Sequence, residues 1–488
     1  MIWSKMRCLN SYKFILWSAI SLLLFQSCKK DVPVISVPIV RTADQQLKDS
    51  VYYYYKRYSL WSDALIPAGQ IDTTFTNAYD SPLNVLNALK GMTPYHAAYR
   101  GGIDRFSYLE SIDPGAPLGY NLGFGLFVSI GAVSETMAYP VVYFAEGGSP
   151  AAQAGIKRSD VILGINEYQD FSVPVTCETG NCKVLDDKRY QSVLNNLLAA
   201  MAEGSMKIRL RHVDGSESTV TILSGSYVVN PIIKDTVFSY SPKHIGYIAL
   251  SSFEEASAGH VNRIHLDRVF QGFEQGQVKD LVFDLRYNTG GSVSTVEYIA
   301  NKVIGQHDDQ ALMYKYGLND YLSPHKQFKG YSFEDVYFKR DNNLNLSTIY
   351  FLVTDITASA SELLINVLRP YMNVVIIAEH DGTYGKPVGY FKQDIMGRTS
   401  LWVASFKLIN ARGETNYWDG ISADQKNVAD YIFRDFGDVE EYMLAAAINH
   451  SLGRPNAAKS VAGSRKMSPP KRGKIVNVNK ISEKRMIK

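Results

Sequence analysis

The sequence predicts a multidomain α/β protein: an N-terminal helical region, a β-rich module and a larger core with a buried, mostly parallel sheet. Three observations carry this. The chain has 488 residues, enough for two to four domains. From about residue 229 to 453, apolar strand-like runs alternate with amphipathic helical stretches, the pattern of a sheet covered on both faces. Between 113 and 228, short strands are separated by glycine-containing turns.

Residues 1–27 read as an address. Lys5, Arg7 and Lys13 precede an apolar run from Phe14 to Phe25, followed by Gln26-Ser27-Cys28. A basic start, a short apolar core and a small residue before the cut make a secretory signal, and the run is too short to span a bilayer comfortably. Cys28 directly after the small residue resembles a bacterial lipoprotein box, in which the cysteine is lipidated and becomes the new N-terminus. Phe25 stands where that box usually has Leu, and an ordinary signal with an incidental cysteine is the alternative. The expectation is a lipid-anchored protein of a Gram-negative-type cell envelope, periplasmic or in the outer membrane, with residues 28–45 as a tether.

Residues 46–112 read as helical, through QQLKDSVYYYYKRYSLW and SPLNVLNALKGM. Tyr52 to Tyr55 read as the packing face of a helix rather than a ligand platform. In 113–228, GFGLFVSI and PVVYFAE are strands, GSPAAQAGI is a turn with a short helix, and DVILGINEY is a strand. QSVLNNLLAAM is a helix, and MKIRLRHVDGSESTVTIL is a hairpin turned at Asp214-Gly215. Cys177 and Cys182 flank a Gly-Asn turn signal. In an oxidising compartment they can close a small disulfide; two free thiols are the alternative.

In 229–453, the strands are HIGYIALSSF, DLVFDLR, STIYFLVTD and VVIIAE, with helices at HVNRIHLDRVFQGFEQ, SVSTVEYIANKVI and ASELLINVL. Residues 305–346 read as a loop insertion. Residues 454–488 carry eleven Lys/Arg against one Glu, with Pro469-Pro470, the composition of a disordered extension. Such a tail suits an acidic partner or anionic lipid; a solvated tail is the plainer alternative. The net charge of +3 therefore conceals an acidic body, which gives no support for nucleic-acid binding.

Candidate chemistry sits at three strand ends, where ligands bind in such sheets. The first is LVFDLRYNTGG, whose Gly290 and Gly291 open a helix and offer N–H groups to an oxyanion. The second is TDITASASELLINVL, with Ser359 at a strand-to-helix junction. Ser359 to Glu362 also fits an S-x-x-E capping box, and on this segment alone the cap is the favoured reading. The third is HDGTYGKPVGY, with Lys386 on a tight turn that Pro387 holds extended. Position 387 and the glycine spacing reject a nucleotide P-loop. GxSxG, HExxH and CxxC are absent. His260 and His265 are not at metal spacing, and His380 is a secondary candidate base.

The order Gly123-Phe124-Gly125-Leu126, Gly148-Ser149-Pro150-Ala151, Ala154-Gly155-Ile156 and Asp160-Val161-Ile162 resembles a PDZ domain, which takes an extended C-terminal peptide as an added strand. The resemblance implies substrate binding at Leu122, Gly123, Phe124 and Gly125; a spacer that binds nothing is the alternative. Together, IGYIALSSF (245–253), VFDLRYNTGG (282–291), TASASE (357–362) and TYGKPVG (383–389), with DRFSYL (104–109), resemble the carboxyl-terminal processing peptidases, or tail-specific proteases. That resemblance runs from about 46 to about 430. It implies a ClpP/crotonase-like catalytic core with an inserted PDZ module.

By family position Ser359 is the nucleophile, with Ser361 as runner-up, and Lys386 is the general base. The oxyanion donors are the N–H groups of Ala360 and of Gly290 or Gly291. Lysine acts as a base only when neutral, so burial must depress its pKa; Tyr384, Val388 and Tyr390 are the candidate desolvating neighbours. Two departures from the family stand out. The Ser359–Lys386 spacing is slightly long, because His380-Asp381-Gly382 expands the turn. The polar helix residue that assists the lysine in many members is replaced by Arg369-Pro370. The implied function is a serine endopeptidase acting on flexible polypeptide C-termini, with no metal or nucleotide cofactor. The rivals are a catalytically silent, PDZ-containing peptide-binding lipoprotein and a hydrolase for small amides or esters.

Overall fold

The computed structural model describes residues 41–65, 73–111, 121–178, 181–455 and 474–478. The signal segment with Cys28, and most of the tether, lie outside the described residues. Among the described residues, no helix is long and apolar enough to cross a membrane.

The core is built on a five-stranded sheet in the order Ile232–Tyr240, Lys243–Leu250, Asp280–Asp284, Thr348–Val353, Asn373–Ala378. The first pair is antiparallel and the rest are parallel. These strands are near-continuous apolar runs because both faces are covered. Alternate residues serve opposite cores. Ile248, Leu250, Leu281, Phe283, Ile349 and Phe351 pack with the helices Ala43–Tyr58, Val261–Gln275, Val293–Val303 and Ala360–Leu368. Tyr247, Ala249, Val282, Tyr350 and Leu352 pack with the helix Tyr442–Ser451 and with Val141, Tyr143 and Phe144 of the β-rich module.

The module's sheet runs Glu217–Leu223, Ser205–Arg211, Val161–Ile165, Met137–Ala145, Leu126–Ala132, Lys474–Asn477. The helix Asp187–Met201 lies against it through Val193 and Leu197. Cys177 and Cys182 face each other in the hairpin Val173–Glu178/Asn181–Val184 and are joined by a disulfide.

Four segments depart from the sequence reading. The helical character of 46–112 ends at Gly91. Beyond it the chain pairs Tyr95–His96 with Gly101–Gly102 around a 3-10 turn at Ala97–Tyr99, and adds Tyr108–Ser111 to a second sheet. Asp104 directs this change: its Oδ1 accepts from the Phe106 and Ser107 amides, offering the backbone an alternative to a helix. The βα alternation stops after Ala378. Gly389–Ile395 and Thr399–Ile409 form an antiparallel hairpin, with Met396 and Gly397 both at positive φ in the turn. The insertion at 305–346 is not merely a loop, since Leu312–Leu318 pairs with that hairpin. Within the basic tail, Lys474–Asn477 is a strand, where Ile-Val-Asn-Val offers β-branched residues to an open sheet edge.

The module and the core meet at a buried ion-pair network. Arg286, 1% exposed, donates to both oxygens of Asp284 (2.9 and 2.7 Å), to Glu441 (2.8 Å) and to Asp430 (3.0 Å). Arg158 of the module reaches the same Asp430 at 2.6 Å and donates to the Tyr143 carbonyl at 2.7 Å. Burial keeps the phenols of Tyr247 and Tyr287 protonated, and they donate to Asp284 and Asp430. Removing one partner from such a network leaves buried charges uncompensated. Arg286→Met is expected to lower unfolding stability by about 3–5 kcal/mol, read from urea denaturation. A loss near that of a surface pair, under about 1 kcal/mol, would show that the network contributes little.

Candidate active site

Three strand ends converge here. The Asp280–Asp284 strand leads through Arg286 and Asn288 to the Gly290-Gly291 turn. The Thr348–Val353 strand leads to Ser359 and its helix. Beyond Asn373–Ala378 comes the 383–386 turn. The parallel register places the first two ends side by side, with Asp284 opposite Leu352.

Ser359 is fully buried and caps the helix Ala360–Leu368 with φ 63°, ψ −114°. That conformation is strongly disfavoured for a side chain with Cβ, costing on the order of 1–3 kcal/mol. The capping box is realised through its carboxylate arm: Glu362 Oε2 accepts from the Ser359 N–H at 2.8 Å. Among the described residues, the Ser359 hydroxyl itself has no hydrogen-bond partner. Its neighbours in the motif are engaged. Thr357 Oγ1 donates to the Leu285 carbonyl at 2.8 Å, and Ser361 Oγ to the Asn288 carbonyl at 3.0 Å. Of the three hydroxyls, only that of Ser359 is left for chemistry.

Glu362 organises the rest. It is fully buried, and its two oxygens accept from four donors. Oε2 takes the N–H groups of Ser359 and Lys386, each at 2.8 Å. Oε1 takes the Gly385 N–H at 2.7 Å and Thr383 Oγ1 at 2.6 Å. The amide nitrogens of Ser359 and Lys386 are therefore no more than two hydrogen-bond lengths apart. Burial raises the Glu362 carboxyl above the ordinary glutamate value, and the four donors pull against that rise.

Lys386 is 2% exposed, and its ammonium lies 5.3 Å from the centroid of the Tyr390 ring. Val388 and Tyr390 are buried in an apolar cluster with Phe106 and Trp402, while Tyr384 lines its edge half-buried. Arg105 clamps the turn from outside, donating to the Tyr384 and Gly385 carbonyls at 3.0 Å each, with its guanidinium over the Tyr384 ring. This gives DRFSYL its role, which its sequence alone did not disclose. Gly385, at φ 91°, has no room for a side chain, since a Cβ would meet the Trp418 carbonyl oxygen at 2.2 Å. His380 is exposed.

Gly290 packs directly on the serine: a Cβ there would lie 2.8 Å from Ser359 Cβ and 3.3 Å from the Ala360 nitrogen. Its N–H is taken by Asn288 Oδ1 at 3.0 Å. The N–H groups of Gly291 and Ala360 have no partner among the described residues. In the module, Gly123 and Gly125 both have positive φ, Leu122 is 83% exposed, and Phe124 is buried. Leu122 and Gly123 end the short strand Asn121–Gly123, which pairs with Gly225–Tyr227, and Phe124-Gly125 link it to the Leu126–Ala132 strand.

Glu362 was visible in the sequence only as a capping partner, and Thr383, Asn288 and Arg105 carried no separate signal. The strain at Ser359 is testable with two variants that both lack the hydroxyl. Ser359→Gly is expected to be more stable than Ser359→Ala by about 1 kcal/mol in thermal or chemical unfolding. Equal stabilities would show that the backbone there is not strained.

Residues 244–426 match the profile of Peptidase family S41, a span that holds all three strand ends. The chain is 24% identical over 297 residues to the carboxy-terminal processing protease CtpA of Bacillus subtilis (strain 168), covering 60% of this chain and 54% of that one. It thus spans about half the length of the curated relatives it matches. A crystal structure from Bacteroides fragilis NCTC 9343, assigned to the S41 proteases, superposes with a TM-score of 0.59 at 22% identity, covering 83% of this chain and 97% of that chain; the likeness is one of fold. The stretch 244–426, which holds Ser359, Lys386 and the Gly290-Gly291 turn, is thus similar to peptidase family S41.

Proposed function

We propose that this protein is a serine endopeptidase that cleaves polypeptides near or from their C-termini by a Ser359/Lys386 dyad. In this reading the module of residues 113–228 acts as a PDZ domain that captures the substrate terminus. The observation that carries it is the Ser359 hydroxyl, fully buried and, among the described residues, unpartnered on a strained backbone. It stands beside the Gly290 turn and shares one carboxylate with the Lys386 turn.

The neutral Lys386 amine takes the Ser359 proton as Oγ attacks the scissile carbonyl carbon. The developing oxyanion is met by the N–H groups of Ala360 and Gly291, since that of Gly290 is held by Asn288. The Lys386 ammonium returns the proton to the departing amine, and the C–N bond breaks. Water, deprotonated by the same lysine, then releases the acyl group and restores the serine. Glu362 keeps nucleophile and base turns in register without touching the reacting atoms. The edge of the strand Leu126–Ala132, along which Lys474–Asn477 pairs, is where an extended peptide would add, with the Gly123-Phe124-Gly125 segment offering N–H groups to its carboxylate. That support favours a polypeptide substrate over a small amide.

The test follows cleavage of a protein with an unstructured, apolar C-terminus by mass spectrometry. Ser359→Ala and Lys386→Ala are each expected to lower the rate at least about a thousandfold with folding intact. Cleavage surviving both would move the chemistry elsewhere, with His380 next to examine. No cleavage by any form, with peptide binding retained, would favour the silent binding protein. Lipid anchoring at Cys28 belongs to the same proposal: Cys28→Ala is expected to shift the protein from the membrane to the soluble envelope fraction. An unchanged distribution would remove the anchor from the reading.

A further inference from the structure

The Leu126–Ala132 strand would be the last in its sheet if the sequence ended at Ser451. It is not left open. Residues Lys474–Asn477 pair with it antiparallel, Lys474 opposite Gly131, Val476 opposite Ile130 and Asn477 opposite Ser129. The Val478 N–H then donates to the Val128 carbonyl at 2.8 Å. Val478 is half-buried against the module's apolar core, which includes Phe124, Leu126 and Val128. The segment therefore descends the strand from Gly131 toward Val128, that is, toward the Gly123-Phe124-Gly125 turn. This is the edge, and the direction of travel, that an extended peptide would take if its carboxylate were to reach that turn.

We propose that residues 474–478 are a tethered ligand, which occupies the capture edge and competes with incoming polypeptide. The inference rests on the capture role proposed above. Strand addition is carried by main-chain bonds and accepts many sequences, so a segment rich in β-branched residues suits the edge. Only twenty positions separate Arg454, at the end of the core, from Lys474. A short link of this kind supplies an effective concentration on the order of millimolar. A free peptide must displace that segment before it binds, and its apparent affinity falls accordingly. The basic surroundings of the segment, which the function above did not use, leave it soluble when released.

The test uses the full chain in a Ser359→Ala background, so that no probe is cleaved, with and without Val476→Pro plus Val478→Pro. Proline removes the donor at 478 and cannot continue a ladder. Two fluorescein-labelled probes are titrated by anisotropy. One is the synthetic peptide 471–480 with an amidated end. The other is Gly-Ser-Gly-Ser-Thr-Val-Ala-Val with a free carboxylate. Both are expected to bind the proline variant at least about tenfold more tightly than the parent, with unlabelled 471–480 displacing the second probe.

Equal affinities in the two proteins, or failure of 471–480 to bind the proline variant, would overturn the tethered ligand. Gain for 471–480 with no binding of the carboxylate probe to either protein would leave the docked strand in place and overturn the capture role instead. Dimers in sedimentation that vanish with the proline substitutions would assign the strand to a neighbouring molecule and overturn the intramolecular form.

Discussion

Glu362 lies fully buried between Ser359 and the 383–386 turn, with both carboxylate oxygens filled by donors from the two sides. Little else in the site is independent of it. The Ser359 N–H it holds belongs to the residue at φ 63°, so the bond helps to sustain a backbone geometry that the chain would otherwise leave. The same oxygen holds the Lys386 N–H, so the loop carrying the lysine is referenced to the serine and not to solvent. A carboxylate is needed for this, because all four groups are donors and only an acceptor-only side chain serves them all. Burying such a charge is expensive, as its raised pKa records, and the four hydrogen bonds offset that cost.

A second buried cluster ties this site to the module. Tyr287 precedes Asn288 and the Gly290 turn. Its phenol donates to Asp430 and accepts from Arg158, which belongs to the module. The ring of Tyr287 also packs on Tyr143 and Phe144, and Phe144 stacks on Phe127 of the Leu126–Ala132 strand. The strand whose edge is occupied by residues 474–478 is thus joined to the residues before the Gly290 turn through packed rings and a shared aspartate. The two Arg side chains satisfy carboxylates from three distant segments, so the relative placement of module and core is specified by charge geometry as well as by apolar contact.

The parts of this architecture that follow a local rule were legible in the sequence. Apolar runs such as 281–285 and 349–353 announce buried strands, and the helices 261–275 and 293–303 announce themselves by period. Ser359, Lys386 and the glycines at 290 and 291 stand out because residues with chemistry sit at the ends of those runs. The antiparallel hairpin 389–409 was harder, because its alternation is masked: nearly every residue of Thr399–Ile409 is buried on both faces. The strand at 474–477 was hidden by its basic flanks, since composition averaged over the tail outweighs the strand preference of Ile475 and Val476.

What the sequence by itself determined is the set of elements, their order, and which residue types stand at the strand ends, for these depend on periodicity and turn chemistry within short windows. What only the tertiary structure decided is which hydroxyl remains unpartnered. Thr357, Ser359 and Ser361 are equivalent as letters, and the carbonyls of Leu285 and Asn288, about seventy positions away in sequence, engage two of them. It also decided that Glu362 joins the serine to the lysine, and that residues 474–478 find the edge at 126–132. Each is a contact between segments distant in sequence, specified by packing and register, and no local pattern encodes it.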